Sequence, residues 1–199
     1  MVGFVFFAKS PRHISFEQAA ALNPQVAGRA QKVALTVNAD DETLAVIVSS
    51  LQPDLLQLHG AESPERVREI KARFGLRVIK AIGVSEAADL ARAQDYEDAD
   101  WLLFDAKPPK DARHPGGNGL AFDWNLLHLY QGRPQAMVSG GLDPSNVADA
   151  IRISGLSGID VSSGVESAPG VKDIHKIVAF VAHARAAYGT QSKKSAGVK

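Results

Sequence analysis

Short apolar runs alternate along the chain with segments whose apolar residues recur at helical spacing. The runs predict strands at Val2–Phe7, Lys32–Val37, Leu55–Leu58, Arg77–Val84, Trp101–Phe104, Ala136–Ser139 and Gly158–Val161. Between them, helices are expected from Ser15 to about Gln25, from Asp40 or Asp41 with Leu44, Ile47, Val48 and Leu51 on one face, and from Ser63 to near Gly75. Further helices are expected over Glu86–Asp95, Asp123–Tyr130, Asp143 to about Ser154, and Asp173–Tyr188, the last with Ile174, Ile177, Val178 and Val181 on one face. The starts carry their own signals: Ser15 as a cap with Glu17 behind it, and Ser63-Pro64-Glu65 as cap, first-turn proline and first-turn acid. Ala106–Ala121 is the longest loop, and residues 189–199 lack an apolar pattern and read as a disordered tail.

Strict strand–helix alternation with short links predicts an α/β fold on a parallel sheet, in one domain over residues 1–188. Strands rich in Val, Ile, Leu and Phe suit burial on both faces. Seven strand–helix units can be counted. An open doubly wound sheet tolerates seven, whereas a closed barrel of this type needs eight.

Composition narrows the functional classes. The 22 basic and 22 acidic residues cancel, so no global field draws the chain to nucleic acid or to an anionic membrane. No apolar run approaches a membrane span, and Val2–Phe7 has no basic segment before it and is too short for a signal peptide, so a cytoplasmic protein is expected. With no cysteine, disulfides and thiolate–metal sites are excluded. No metal motif, Walker sequence or G-x-G-x-x-G element is present, so nucleotide or metal chemistry gets little weight.

In either parallel architecture, functional groups collect where strands end. Those positions carry Ser10-Pro11-Arg12, Asn38, His59-Gly60, Asp105, Ser139-Gly140-Gly141 and Asp160-Val161-Ser162-Ser163. The two turns around Gly140-Gly141 and Ser162-Ser163-Gly164 offer backbone N–H groups, the latter opening a short helix, and together suit a phosphate. Asp105 closes an apolar strand and reads either as a general acid or as a carboxylate bonded to loop N–H groups. Arg12 reads as a carboxylate clamp or an exposed loop arginine, and His59 as a ligand contact or a structural histidine. Pro115-Gly116-Gly117-Asn118-Gly119 is a lid or a linker.

Taken jointly, Gly3-Phe4-Val5-Phe6, Ser10-Pro11-Arg12, Gln57-Leu58-His59-Gly60, Phe104-Asp105, Gly116-Gly117-Asn118-Gly119, Phe122-Asp123-Trp124, Ser139-Gly140-Gly141-Leu142, Asn146-Val147, Asp160-Val161-Ser162-Ser163-Gly164-Val165-Glu166 and Gly170-Val171-Lys172-Asp173 resemble the phosphoribosylanthranilate isomerase family, in family order from Val2 to about Tyr188. The resemblance implies a (β/α)8 TIM barrel of tryptophan biosynthesis. Its reaction is the Amadori rearrangement of N-(5'-phosphoribosyl)anthranilate, a small phosphorylated substrate, without metal or cofactor. It implies Asp105 as the acid that protonates the ribose ring oxygen, Arg12 at the anthranilate end, and Gly140, Gly141, Ser162, Ser163 and Gly164 as the phosphate cradle. His59 falls in a matched motif, and Asp160 matches a family carboxylate whose role stays open. Asn118 stands where a small hydroxyl residue is commoner.

The family's first strand carries Lys-Ile-Cys-Gly, whose cysteine removes the C2' proton. No position here matches it, so this chain is expected to hold seven of eight β/α units, the first missing, and to be a poor catalyst alone. Two alternatives stand: another phosphate-binding barrel such as indole-glycerol-phosphate synthase, for which Lys80 is the one obvious catalytic lysine, and a non-catalytic truncation product. The sequence does not give the oligomeric state.

Overall fold

Each of the central strands puts one apolar residue on either side of the sheet, and that alternation organises the molecule. The computed structural model describes residues 1–107, 116, 117, 119 and 121–196. Its strands β1 (Val2–Phe6), β2 (Lys32–Thr36), β3 (Leu55–Leu58), β4 (Arg77–Val84), β5 (Trp101–Ala106), β6 (Gln135–Val138) and β7 (Gly158–Ile159) form one parallel sheet in sequence order. Val33, Leu55, Ile79, Ala81, Leu103 and Met137 meet in one apolar cluster on one face. Their strand neighbours Ala34, Leu56, Val78, Leu102 and Val138 join a second, larger cluster with the helices. That cluster runs without a break from Phe4 to Ala184. Phe7, just after β1, and Val161, just after β7, line the same cleft, so the sheet is curled until its two edges face one another.

The helices are α1 (Phe16–Val26), α2 (Asp41–Leu51), α3 (Pro64–Phe74), α4 (Ala87–Ala93), α5 (Val147–Ser154) and α6 (Ile174–Ala196). Local chemistry sets their ends. Ser15 and Gln18 form a reciprocal capping box, with bonds of 3.2 and 2.8 Å. Asp40 accepts the Thr43 N–H at 2.8 Å, and Ser63 the Arg66 N–H at 3.2 Å. Gly75 stops α3 at φ +64°, where a side chain would be strained.

Four expectations need correction. The predicted helix at 123–130 is a 3-10 helix, Trp124–Leu129. The last parallel strand pairs through Gly158 and Ile159 alone, because Asp160 already turns into the cleft. An antiparallel hairpin, β8 (Glu166–Ala168) with β9 (Val171–Lys172), follows it and was not expected. In α6 the buried stripe is Ile177, Phe180, Ala184 and Tyr188, while Ile174, Val178 and Val181 are exposed. That helix also continues past Tyr188 to Ala196. Positions 197–199, like Pro115 and Asn118 of the expected lid, lie outside the described residues.

Among the described residues β1 is laddered to β2, with an isolated parallel bridge from Val5 to His13 besides, and β7 is laddered only to β6. Exposed apolar side chains include Met1 and Val2 at the start of β1 and Ile174, Val178 and Val181 on α6. No helix among the described residues is long and apolar enough to cross a membrane.

Candidate active site

A cleft opens where the parallel strands end. Arg12, His59, Asp105, Gly140, Gly141, Asp160, Ser162 and Ser163 all line it, so eight of the nine residues singled out in the sequence meet in one place.

Asp105 stands at the end of β5 with its carboxylate buried. One oxygen, Oδ1, accepts the Ala106 N–H at 2.9 Å. The other, Oδ2, lies 3.3 Å from His59 Nε2. His59 is itself oriented by Gln57, whose Nε2 is 3.1 Å from His59 Nδ1. With the Gln57 amide donating to Nδ1, the ring proton sits on Nε2 and points at Asp105. An imidazole N–H on one oxygen and a backbone N–H on the other hold the carboxyl group fixed in the cleft.

Two glycines of the long loop, Gly116 and Gly117, pack directly on these groups, whereas a Cβ at Gly119 would meet nothing. A Cβ at Gly116 would lie 2.7 Å from both Asp105 Oδ2 and His59 Nε2. Gly117, at φ +72°, would place one 2.8 Å from Arg12 Nη1. The segment therefore touches the acid, the histidine and the arginine together, which a mere linker would not require.

On the opposite wall, Gly140 and Gly141 are both left-handed, at φ +83° and +63°. Asn146 fixes this turn, donating to Gly141 O at 2.9 Å and accepting the Asp143 N–H at 2.9 Å. Among the described residues, the N–H groups of Gly140, Gly141 and Ser162 have no protein acceptor. Ser163–Val165 forms a 3-10 turn that brings the Ser162-Ser163 segment against Leu142. Gly164 does not line the cleft. A Cβ there would fall 1.8 Å from Leu142 O, so its part is to let the two turns stack.

Asp160 lies between the two walls. Ser139 Oγ donates to its Oδ2 at 3.1 Å. Burial pushes its carboxyl above the usual carboxylate range, Ser139 opposes that shift, and the Asp105 charge adds to it.

Arg12 is neither exposed nor free. Its Nε and Nη2 donate to Glu166 Oε1 and Oε2 at 2.7 and 2.8 Å, a two-point ion pair from β8. Sequence reasoning quoted Glu166 within a motif but gave it no role, because 154 residues separate the partners. Lys80, by contrast, sits outside the cleft. It lies between the inward-facing Ile79 and Ala81 and so points to the helix side, bonded to Leu58 O, Gly60 O and Glu62.

The family profile for N-(5'-phosphoribosyl)anthranilate (PRA) isomerase matches residues 1–183. The chain belongs to this isomerase family. The N-(5'-phosphoribosyl)anthranilate isomerase of Rhodopseudomonas palustris (strain BisB5) is 58% identical over 187 residues, covering 94% of this chain and 86% of that protein. The crystal structure of phosphoribosyl anthranilate isomerase from Thermotoga maritima superposes with a TM-score of 0.81 at 37% identity, over 93% of this chain and 87% of that one. A phosphoribosyl anthranilate isomerase in complex with reduced 1-(o-carboxyphenylamino)-1-deoxyribulose 5-phosphate does so at 0.78 and 35%, with the same coverage.

Proposed function

We propose that this isomerase-family chain acts on N-(5'-phosphoribosyl)anthranilate, rearranging it to 1-(2-carboxyphenylamino)-1-deoxyribulose 5-phosphate in tryptophan biosynthesis, in the cytoplasm. The observation that carries this reading is the placement of Asp105. Its buried carboxyl group, held by His59 and the Ala106 N–H, shares one cleft with two glycine-lined turns and an arginine. The turns take the phosphate on N–H groups, and Arg12 takes the anthranilate carboxylate.

In this reading Asp105 gives its proton to the ribose ring oxygen as the C1'–O bond breaks, leaving an open-chain iminium. A base then removes the C2' proton, and the C2'–H electron pair forms the enolamine. Reprotonation at C1' and loss of the enol proton give the ketone, so no proton is gained or lost overall. An acid on one side of the sugar and a base on the other are both required.

The sequence contains no cysteine, so the family's base is not among its residues. The proposed architecture is a (β/α)8 barrel in which residues 1–188 provide seven units as one phosphate-binding domain. In this reading an eighth strand and helix would lie between β1 and β7, the first and last strands of the sheet. Supplying a Lys-Ile-Cys-Gly strand and its helix ahead of Val2 is expected to raise turnover of phosphoribosylanthranilate generated in situ and to sharpen unfolding. Comparable turnover with and without it would oblige another residue to be the base. The indole-glycerol-phosphate synthase alternative loses its candidate, because Lys80 does not reach the cleft.

A further inference from the structure

We infer that Glu166 is the positioning residue for Arg12, and that the β8–β9 hairpin exists to carry it there, so that the guanidinium meets the substrate's carboxylate with its free end, Nη1 and the second Nη2 N–H, held in a preset direction. The inference rests on the function proposed above and extends it to a residue with no role so far. Glu166 occupies Nε and Nη2 of Arg12, leaving Nη1 on the cleft side beneath Gly117. Arg12 therefore cannot offer its usual two-nitrogen fork along that edge, which is already filled.

The hairpin is itself held at three points. Gly170, at φ +83°, sits so close to the Arg12 loop that a Cβ would lie 2.6 Å from Pro11 O. Its N–H donates to Glu166 Oε2 at 3.2 Å. Lys172 donates both to Glu166 Oε1 and to Ser162 O, each at 2.8 Å. Lys176, on α6, donates to Glu166 O at 2.8 Å. The turn that contributes Ser162 to the phosphate cradle and the loop that carries Arg12 are thus fastened to one another through a hairpin of few residues. Burial alone would raise the Glu166 carboxyl, but bonds from Arg12, Lys172 and the Gly170 N–H hold it down at about 2, so it stays charged beside Arg12 at any ordinary pH.

Two ligands separate positioning from general support: reduced 1-(o-carboxyphenylamino)-1-deoxyribulose 5-phosphate, and the same compound without its carboxyl group. By titration calorimetry, Glu166→Gln should weaken the first by roughly tenfold or more, the scale of one charge-assisted hydrogen bond, and leave the second nearly unchanged. In an Arg12→Ala background the same substitution should cost less than about threefold, because groups acting as one unit are not additive. Glu166→Asp retains the charge but falls one carbon short. It should show a smaller loss of the same ligand-selective kind, and it carries the test if the Gln variant does not fold. Equal losses for both ligands, or full additivity with Arg12→Ala, would overturn the positioning role and leave the proposed function standing. Failure of the unaltered chain to bind the carboxylated ligand would remove both.

Discussion

Two buried cation–carboxylate pairs lie near the strand ends, and they are built for opposite purposes. Behind the sheet, Lys80 places three ammonium bonds, on Leu58 O at 3.2 Å, Gly60 O at 2.8 Å and Glu62 Oε2 at 3.0 Å. An ammonium has three protons to donate, so nothing remains for a ligand. Glu62 is equally committed, accepting the N–H groups of Asn38 and Gly60 as well. Burial lowers the Lys80 pKa and Glu62 opposes the shift. In the cleft, Arg12 gives two of its three nitrogens to Glu166 and keeps Nη1 toward the cavity. A fully satisfied pair braces the loop that holds His59, whereas a partly satisfied one aims a group at substrate. Burial and an ion pair do not by themselves identify a working residue; the count of unused donors does.

The largest expected break of this contrast is Lys80→Ala. It leaves buried Glu62 with two backbone N–H partners but without its cation, and should cost about 3–5 kcal/mol in denaturant unfolding, as removing one partner of a buried pair does. Arg12→Ala should cost clearly less, since Glu166 keeps Lys172 and the Gly170 N–H as partners. If the Arg12 change proved the more destabilising of the two, the assignment of bracing and aiming would be reversed.

Next in size is Gly164→Ala. Its Cβ collides with Leu142 O, so the phosphate turns must separate and product affinity should fall at least about tenfold. Unchanged affinity, read by calorimetry, would place the phosphate elsewhere. Gly189→Ala is the control, likewise without a positive φ but with open space around the added carbon.

The smallest effect sharpens the comparison through pH. The Glu166 pKa is held from 4.5 down to about 2 in the folded chain. A depressed carboxyl pKa stabilises fully above the unfolded value and loses that contribution as pH falls through the folded one. The stability gap between the unaltered chain and Glu166→Gln should therefore be constant above about pH 5 and shrink toward pH 2. A gap independent of pH over that window would mean that the carboxylate's charge is not what matters.

Much of this was written locally in the sequence. Ser15, Asp40 and Ser63 cap helices because a short side chain can reach its own first turn, and the glycines at 140 and 141 turn because only they sit easily at positive φ. The convergence of Arg12, His59, Asp105 and the two turns follows from a single rule, that parallel strands all end on one rim. What remained hidden was long-range. Glu166 reaches Arg12 across 154 residues of chain, whereas Gln57 and His59, two apart at the end of β3, share a face by strand alternation and Gln57 was simply given no role. The hairpin was missed since Val171-Lys172 is too short to show a period. The α6 face was misjudged because Ile174, Val178 and Val181 repeat as a buried stripe would, yet stand exposed.

The central claim is that Asp105 is the acid of an isomerase. It is tested most directly by turnover of phosphoribosylanthranilate in the chain completed with a Lys-Ile-Cys-Gly strand and helix, with Asp105 intact or changed to Asn. Asparagine keeps the size and polarity but cannot deliver the proton. Turnover should fall by about 100-fold or more, the scale of lost general acid–base help, while the reduced product binds as before. Near-normal turnover in the Asp105→Asn form would contradict the account.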